Sequence, residues 1–181
     1  MQYIKQMLIT AAAVSMTTAA VAEDYDDDYA RDRAQIEDLQ GRYLFAMNWG
    51  DFDTYASTFT EDGVLDWARN TVTGRDAIRQ EAEVLWQFFS GLEPGERPTS
   101  APKRRHFISS QVVDIDGDAA TGRALWYEFD VDATTQQPVV LAYGHYEDEL
   151  RKVDGKWLFS KRAIFNVIVE GREGPVDNPA W

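Results

Sequence analysis

The chain has no cysteine, so disulfides, thiolate metal sites and a lipid-modified cysteine are all excluded. Histidine occurs only twice, without HxH or HxxxH spacing, and no zinc cluster can be read from it. There is no glycine-rich phosphate loop and no GxSxG elbow, which disfavours nucleotide and serine-hydrolase chemistry. Cations are also in short supply. Eighteen Lys and Arg face 31 Asp and Glu, a formal charge of -13, and such a surface repels nucleic acid and anionic lipid. Only one apolar run is long enough to consider as a targeting or membrane segment, and it stands at the start. Lys5 precedes the stretch Met7 to Val21, which closes on Ala20-Val21-Ala22. A basic start, a short apolar middle and a small-x-small ending form a secretory signal. The run is short and rich in Thr and Ala for a membrane span; a retained N-terminal anchor is the alternative. Cleavage after Ala22 predicts a periplasmic or secreted protein with no membrane attachment.

What remains, residues 23–181, is one ordinary domain with enough chain to bury a core. Residues 23–31 read as an acidic leader, solvated rather than cation-binding, residues 32–169 as the domain and 170–181 as an irregular tail. Aromatics make up 13%, including six tryptophans, a density suited to a core, a ligand pocket or an interface between copies. From Asp28 to Asn48, the residues Ile36, Leu39, Tyr43, Ala46 and Met47 recur at three- and four-residue steps, predicting an amphipathic helix. A second helix is expected over 51–59, capped by Asp51. A third is expected over 74–89, capped by Thr73, with Ala77, Ile78, Ala82, Leu85, Trp86 and Phe89 inward. Residues 63–67 read as a strand between these two. The stretch 91–103, with Pro94, Gly95, Pro98 and Pro102, is a long loop of the kind that is often functional. The texture then becomes β-branched, aromatic and alternating. Asp116-Gly117 and Asp154-Gly155 mark hairpin turns, and 134–138 a looser one, giving four antiparallel strands over 105–115, 119–132, 139–153 and 156–168. Helices followed by a meander predict an α+β fold with helices on one face of a strongly curved, mainly antiparallel sheet. Both faces of the second of those strands are apolar, so the outer face predicts a homo-oligomer, a dimer or trimer.

The segments YLFAMNWGDFDTYASTFTEDGVLDW (43–67), TGRDAI (73–78), RRHFIS (104–109), DGDAATGRALWY (116–127), GHYEDEL (144–150) and DGKWLFSKR (154–162) follow one another in an order that resembles the SnoaL-like branch of the nuclear-transport-factor-2 superfamily. The resemblance implies a cone around one deep pocket and no cofactor or metal. Relatives by this pattern include scytalone dehydratase, bile-acid 7α-dehydratase, a dehydrochlorinase, polyketide cyclases and formaldehyde-releasing lyases for diarylpropanes. It implies general acid-base chemistry on a small hydrophobic, hydroxylated, aromatic or polycyclic substrate.

His106 matches the histidine that moves protons in the dehydratases, and an imidazole with an ordinary pKa near 6.5 suits that role. A histidine satisfying a carbonyl at a strand edge is the bland alternative. Asn48 stands where the family pattern has the aspartate that pairs with it; an amide cannot take a proton, so either His106 acts with other partners, Asn48 orients a substrate oxygen, or catalysis is lost. Tyr43, on the inward stripe of the first helix, either donates to a developing oxyanion or packs in the core. Glu128 matches a second-strand aspartate of the bile-acid enzyme; it either replaces the missing acid beside His106 or is a surface charge. Arg104 shares strand parity with His106 and is a candidate for a substrate oxygen, while Arg105 faces away. Asn166 replaces an arginine of the bile-acid pattern, and a neutral amide there argues against an anionic substrate tail. Trp67 and Trp126 are candidates to stack on an aromatic ring or to fill the core. His145 is left unassigned. Beside the enzyme reading stand a non-catalytic carrier of a hydrophobic small molecule and a secreted assembly module.

Overall fold

The computed structural model describes residues 27–90, 96 and 101–180; the signal segment, most of the expected leader and most of the loop 91–103 lie outside the described residues. Three helices, α1 (Asp27–Trp49), α2 (Phe52–Ser57) and α3 (Arg75–Ser90), precede and flank a six-stranded sheet. Its strands are β1 (Phe59–Asp66), β2 (Thr71–Thr73), β3 (Arg105–Asp116), β4 (Ala119–Val131), β5 (Pro138–Val153) and β6 (Lys156–Asn166). They run in the order β2-β1-β6-β5-β4-β3; every pairing is antiparallel except β1 with β6. Among the described residues no helix is long and apolar enough to cross a membrane.

Helix α1 is already formed at Asp27, inside the stretch assigned to the acidic leader. Its buried stripe of Ile36, Leu39, Tyr43 and Ala46 is the one the spacing predicts, and Met47 is half-buried. Asp51 caps α2 as expected, its Oδ1 accepting from Thr54 N–H at 3.1 Å. The β1 strand begins earlier than its hydropathy suggests, at Phe59, and Thr71–Thr73 was not legible as a strand at all, being three residues long. Thr73 belongs to that strand and does not cap α3. The Gly74 carbonyl takes the first helical bond, from Ile78 N–H at 3.0 Å, and Gly74 has φ +92, open to a residue without a Cβ.

Helix α3 departs furthest from its sequence reading. Of its inward stripe only Ile78 is buried, and Phe89 is 52% exposed, because Ala82, Leu85, Trp86 and Phe89 wall a cavity instead of entering the core.

The hairpins follow the turn chemistry. Asp154 and Gly155 both have positive φ, 51° and 73°, as a two-residue turn matched to strand twist requires. The first hairpin turns on Gly117 and Asp118, one residue later than expected, with Gly117 at φ 58°. Alternation along β4 places Ala124, Trp126 and Glu128 on the concave face. On the opposite face Phe107, Leu125 and Tyr143 are exposed, and Phe107 stacks on Tyr127 (5.5 Å, 17°). The tail covers another part of that outer face: Arg123 Nε donates to the Pro179 carbonyl at 3.1 Å, and Gly174 sits against His145. Arg172 fastens the tail by donating to the Asp66 carboxylate (3.2 Å) and the Ile164 carbonyl (2.9 Å).

Gly144, in register with Trp126 on β4 and Asn166 on β6, has no room for a side chain. A Cβ there would lie 2.0 Å from the Phe165 carbonyl oxygen. Gly144→Ala is therefore expected to destabilise the protein by about 3 kcal/mol by prying β5 from β6; an unchanged urea midpoint would show that the strands tolerate the shift.

Candidate functional site

Packing three helices across a concave sheet leaves a cavity of about 660 Å³, within the size range of small-molecule sites. Tyr43, Asn48, Trp67, Arg104, His106, Trp126, Glu128 and Asn166 all line it. Most of the remaining wall is apolar, including Met47, Phe52, Leu65, Leu85 and Ile164.

The centre of the polar wall is His106, paired across the ladder with Glu128. Asn48, on the last turn of α1, grips His106 from the other side. Its Oδ1 accepts the His106 backbone N–H at 2.9 Å and lies 2.9 Å from Nδ1, while its Nδ2 donates to the His106 carbonyl at 3.4 Å. The two backbone bonds fix which amide atom is oxygen. Oxygen can only accept, so Nδ1 carries the ring proton and Nε2 keeps its lone pair. Nε2 lies 3.6 Å from Glu128 Oε1. Burial, and after it the positive charge of Arg104, push the His106 pKa down to about 4. The ring is thus a neutral, oriented base at neutral pH.

Both polar atoms of the Asn48 amide are engaged by His106, and Oδ1 sets the tautomer of the ring; the second N–H of Nδ2 is the one with which Asn48 could meet a substrate oxygen. Replacing it with the family's aspartate should raise the His106 pKa by roughly 1–3 units, because a carboxylate stabilises the imidazolium by charge. An NMR titration of the His106 ring in Asn48→Asp would read this directly; a ring still neutral at pH 5 would refute it.

Glu128 is not a surface charge: its side chain is 13% exposed, and burial raises its pKa against the opposing pull of Arg104. Arg104 bridges Glu128 Oε1 (3.1 Å) and Asp130 Oδ2 (3.3 Å), with its guanidinium 4.5 Å from the Phe89 ring centroid. Both carboxylates are met through Nε, and the guanidinium still lines the cavity. Arg105 faces away, over Trp49 at 4.2 Å.

Tyr43 is fully buried at the cavity floor, its hydroxyl accepting from the Tyr55 hydroxyl at 3.0 Å. Burial raises both phenol pKa values, so both remain proton donors at neutral pH. Behind Tyr43, Arg162 is boxed by the rings of Tyr43, Tyr146 and Phe159 at 4.0–4.2 Å. It pairs with Asp148 at 2.7 Å, both side chains having no exposed surface. Gln40 donates to Asp148 Oδ2 at 2.9 Å and accepts from Arg162. Burial alone would lower the Arg162 pKa; Asp148 outweighs it, and the guanidinium stays charged.

The two indoles have their N–H groups satisfied: Trp67 Nε1 donates to Glu81 (3.1 Å) and Trp126 Nε1 to the Phe165 carbonyl (2.9 Å). Trp126 also stacks on Tyr146 (5.9 Å, 20°), so one of its faces is not open to a ligand. Asn166 Oδ1 accepts from Ile168 N–H at 3.1 Å. His145 lies on the outer face, parallel to Phe165 at 4.5 Å with Nε2 3.2 Å from Glu147, away from the cavity.

The sequence reading missed Tyr55, Tyr146, Asp130 and the Arg162–Asp148 pair. Tyr55 stood in the α2 stripe and Tyr146 shares parity with Gly144 and Asp148, but neither signal says which inward residues meet a void.

Three helices closing a curved, mainly antiparallel sheet over one apolar cavity with a single polar wall define a pocket protein of the nuclear-transport-factor-2 type. Residues 28–163 match the model of the SnoaL-like domain, and the chain belongs to that family, which includes cofactor-independent isomerases, dehydratases and cyclases. An uncharacterized protein of Mycobacterium tuberculosis is 27% identical over 134 residues, covering 72% of this chain and 82% of its own length. The solved structure of another M. tuberculosis protein of unknown function, carrying a D26N substitution, is similar at 28% identity and TM-score 0.65, covering 83% of this chain and 80% of that one. A Novosphingobium aromaticivorans protein provisionally described as a scytalone dehydratase shares the fold at 22% identity and TM-score 0.63, covering 84% of this chain and 97% of that one.

Proposed function

We propose that the cavity is the active site of a cofactor-independent lyase that eliminates water, or a comparable small group, from a hydroxylated aromatic or polycyclic compound. The observation that carries this reading is the His106 imidazole, fixed by Asn48 with its unprotonated Nε2 in an apolar cavity. In a dehydration, Nε2 takes the proton of the C–H bond beside the carbinol carbon. The electron pair forms the new double bond as the carbon–oxygen bond breaks, and the imidazolium returns the proton to the departing hydroxyl, which leaves as water. The ring ends neutral and no other reactant is consumed. Glu128, 3.6 Å from Nε2, supports the transient imidazolium in place of the acid that Asn48 replaces. The Tyr43 hydroxyl, whose oxygen accepts from Tyr55, keeps its own O–H as a donor for negative charge developing on a substrate oxygen.

The basic-then-apolar leader of residues 1–22 supports placing this chemistry outside the cytoplasm. The test is incubation of the purified protein, beside its His106→Ala variant, with a panel of hydroxylated aromatics. Product from the first but not the second supports elimination. Compounds bound but recovered unaltered from both would instead support a carrier.

A further inference from the structure

Among the described residues three cations line the cavity: Arg69, Lys103 and Arg104. Arg104 is bridged to Glu128 and Asp130, but Arg69 and Lys103 have no carboxylate within ion-pair distance among the described residues. This is not for want of partners, since the chain carries 31 acids for 18 bases, and most described arginines and lysines have taken one. Arg69 is held by aromatic rings, 5.9 Å from the Trp67 centroid and 5.7 Å from that of Phe88. Such contacts position a guanidinium while leaving its charge and its fork of donors unused. The arrangement is continuous around one side of the mouth. Arg69 lies over Phe88, Phe88 packs edge-on against Phe89 (5.2 Å), Phe89 carries Arg104, and Lys103 is the next residue along the chain. Both unpaired cations are exposed, at the rim and not in the floor.

We propose that Arg69 and Lys103 form an anion-binding rim, so that the cavity takes an amphipathic substrate with a carboxylate at the mouth and its ring system in the apolar interior. The inference rests on the cavity being a substrate site, and it adds the charge and the direction of entry. The carboxylate stays in the wet, cationic rim where its desolvation is small; the rings displace water from the apolar wall; a hydroxylated far end reaches the wall carrying His106. The neutral amide of Asn166 speaks only for its own part of that wall, and an anion is received at the rim instead.

Titration calorimetry at pH 7.5 tests this with 6-hydroxy-2-naphthoic acid and its carboxamide, which differ in charge but hardly in shape. The intact protein is expected to bind the acid about tenfold more tightly, the sum of two exposed ion pairs. In Arg69→Gln/Lys103→Gln that preference should vanish while amide affinity is unchanged, which also certifies the fold of the variant. Equal affinities in the intact protein, a preference that survives the double substitution, or no binding of either compound at millimolar concentration would overturn the rim. Binding is read without turnover, so a failure of the elimination chemistry in the His106 experiment leaves this result separate, and the reverse also holds.

Discussion

Replacing His106 with alanine is expected to lower turnover by roughly 10²–10⁴-fold, the usual contribution of a positioned proton carrier, with little change in substrate affinity. The loss should fall on kcat because Nε2 acts on the proton in flight, whereas the apolar wall and the rim hold the ligand. The pH profile supplies a readout that mere loss of packing would not move. Because the His106 pKa is pushed down to about 4, the acid limb of kcat/KM should lie near pH 4 instead of near 6.5. The same shift acts on stability. Between pH 6.5 and pH 4 the unfolded chain binds a proton at His106 that the folded chain refuses, so stability falls as pH falls through that window, by about 3 kcal/mol once pH is below both values. In His106→Ala this part of the acid destabilisation should be absent. Activity within threefold of the parent, or an acid limb left in place by the substitution, would remove His106 from the chemistry.

The largest effect on folding is expected from Asp148→Ala. Arg162 has no exposed surface and stays charged because Asp148 accepts from both its Nε (2.8 Å) and its Nη2 (2.7 Å). Removing the acid strands a guanidinium among Tyr43, Tyr146 and Phe159, and breaking a buried pair from one side costs about 3–5 kcal/mol. Against a total stability of about 5–15 kcal/mol, that is a large share of what holds the protein folded. Removing both charges with Asp148→Leu/Arg162→Met should cost less than the single change, since no orphaned charge remains. Urea midpoints of the parent and both variants give the comparison; a single variant within 1 kcal/mol of the parent would mean that the guanidinium finds other compensation. Tyr43 and Tyr146 box this cation and line the cavity, so the same loss should loosen the cavity floor.

Much of this site was legible one face at a time. Strand alternation put Arg104 and His106 on one face of β3, and Ala124, Trp126 and Glu128 on one face of β4; register then brings His106 opposite Glu128. Helical spacing put Tyr43 inward on α1. The role of Asn48 was not legible, because its partners are the backbone and ring of a residue 58 positions away. Nor was the state of Arg104: parity aims a side chain at a face but does not say whether carboxylates are already waiting there. The α3 stripe failed in an instructive way. Ala82, Leu85, Trp86 and Phe89 do share a side of the helix, but that side faces a void, and amphipathicity reads the same for a core wall and a cavity wall.

Periodicity, turn residues and composition alone determined the order of helices and meander, the hairpins at Gly117 and Gly155, the alternating faces and the acidic surface, because each depends on neighbours within a few residues. The resemblance implied a pocket, but tertiary structure alone decided which inward residues wall it, that Asn48 fixes the histidine tautomer, that Arg162 is matched by Asp148 and Gln40, and that Arg69 and Lys103 meet no carboxylate among the described residues. Those outcomes depend on which distant surfaces meet and how much space remains between them, and a sequence pattern specifies the direction of a side chain without specifying what stands in front of it.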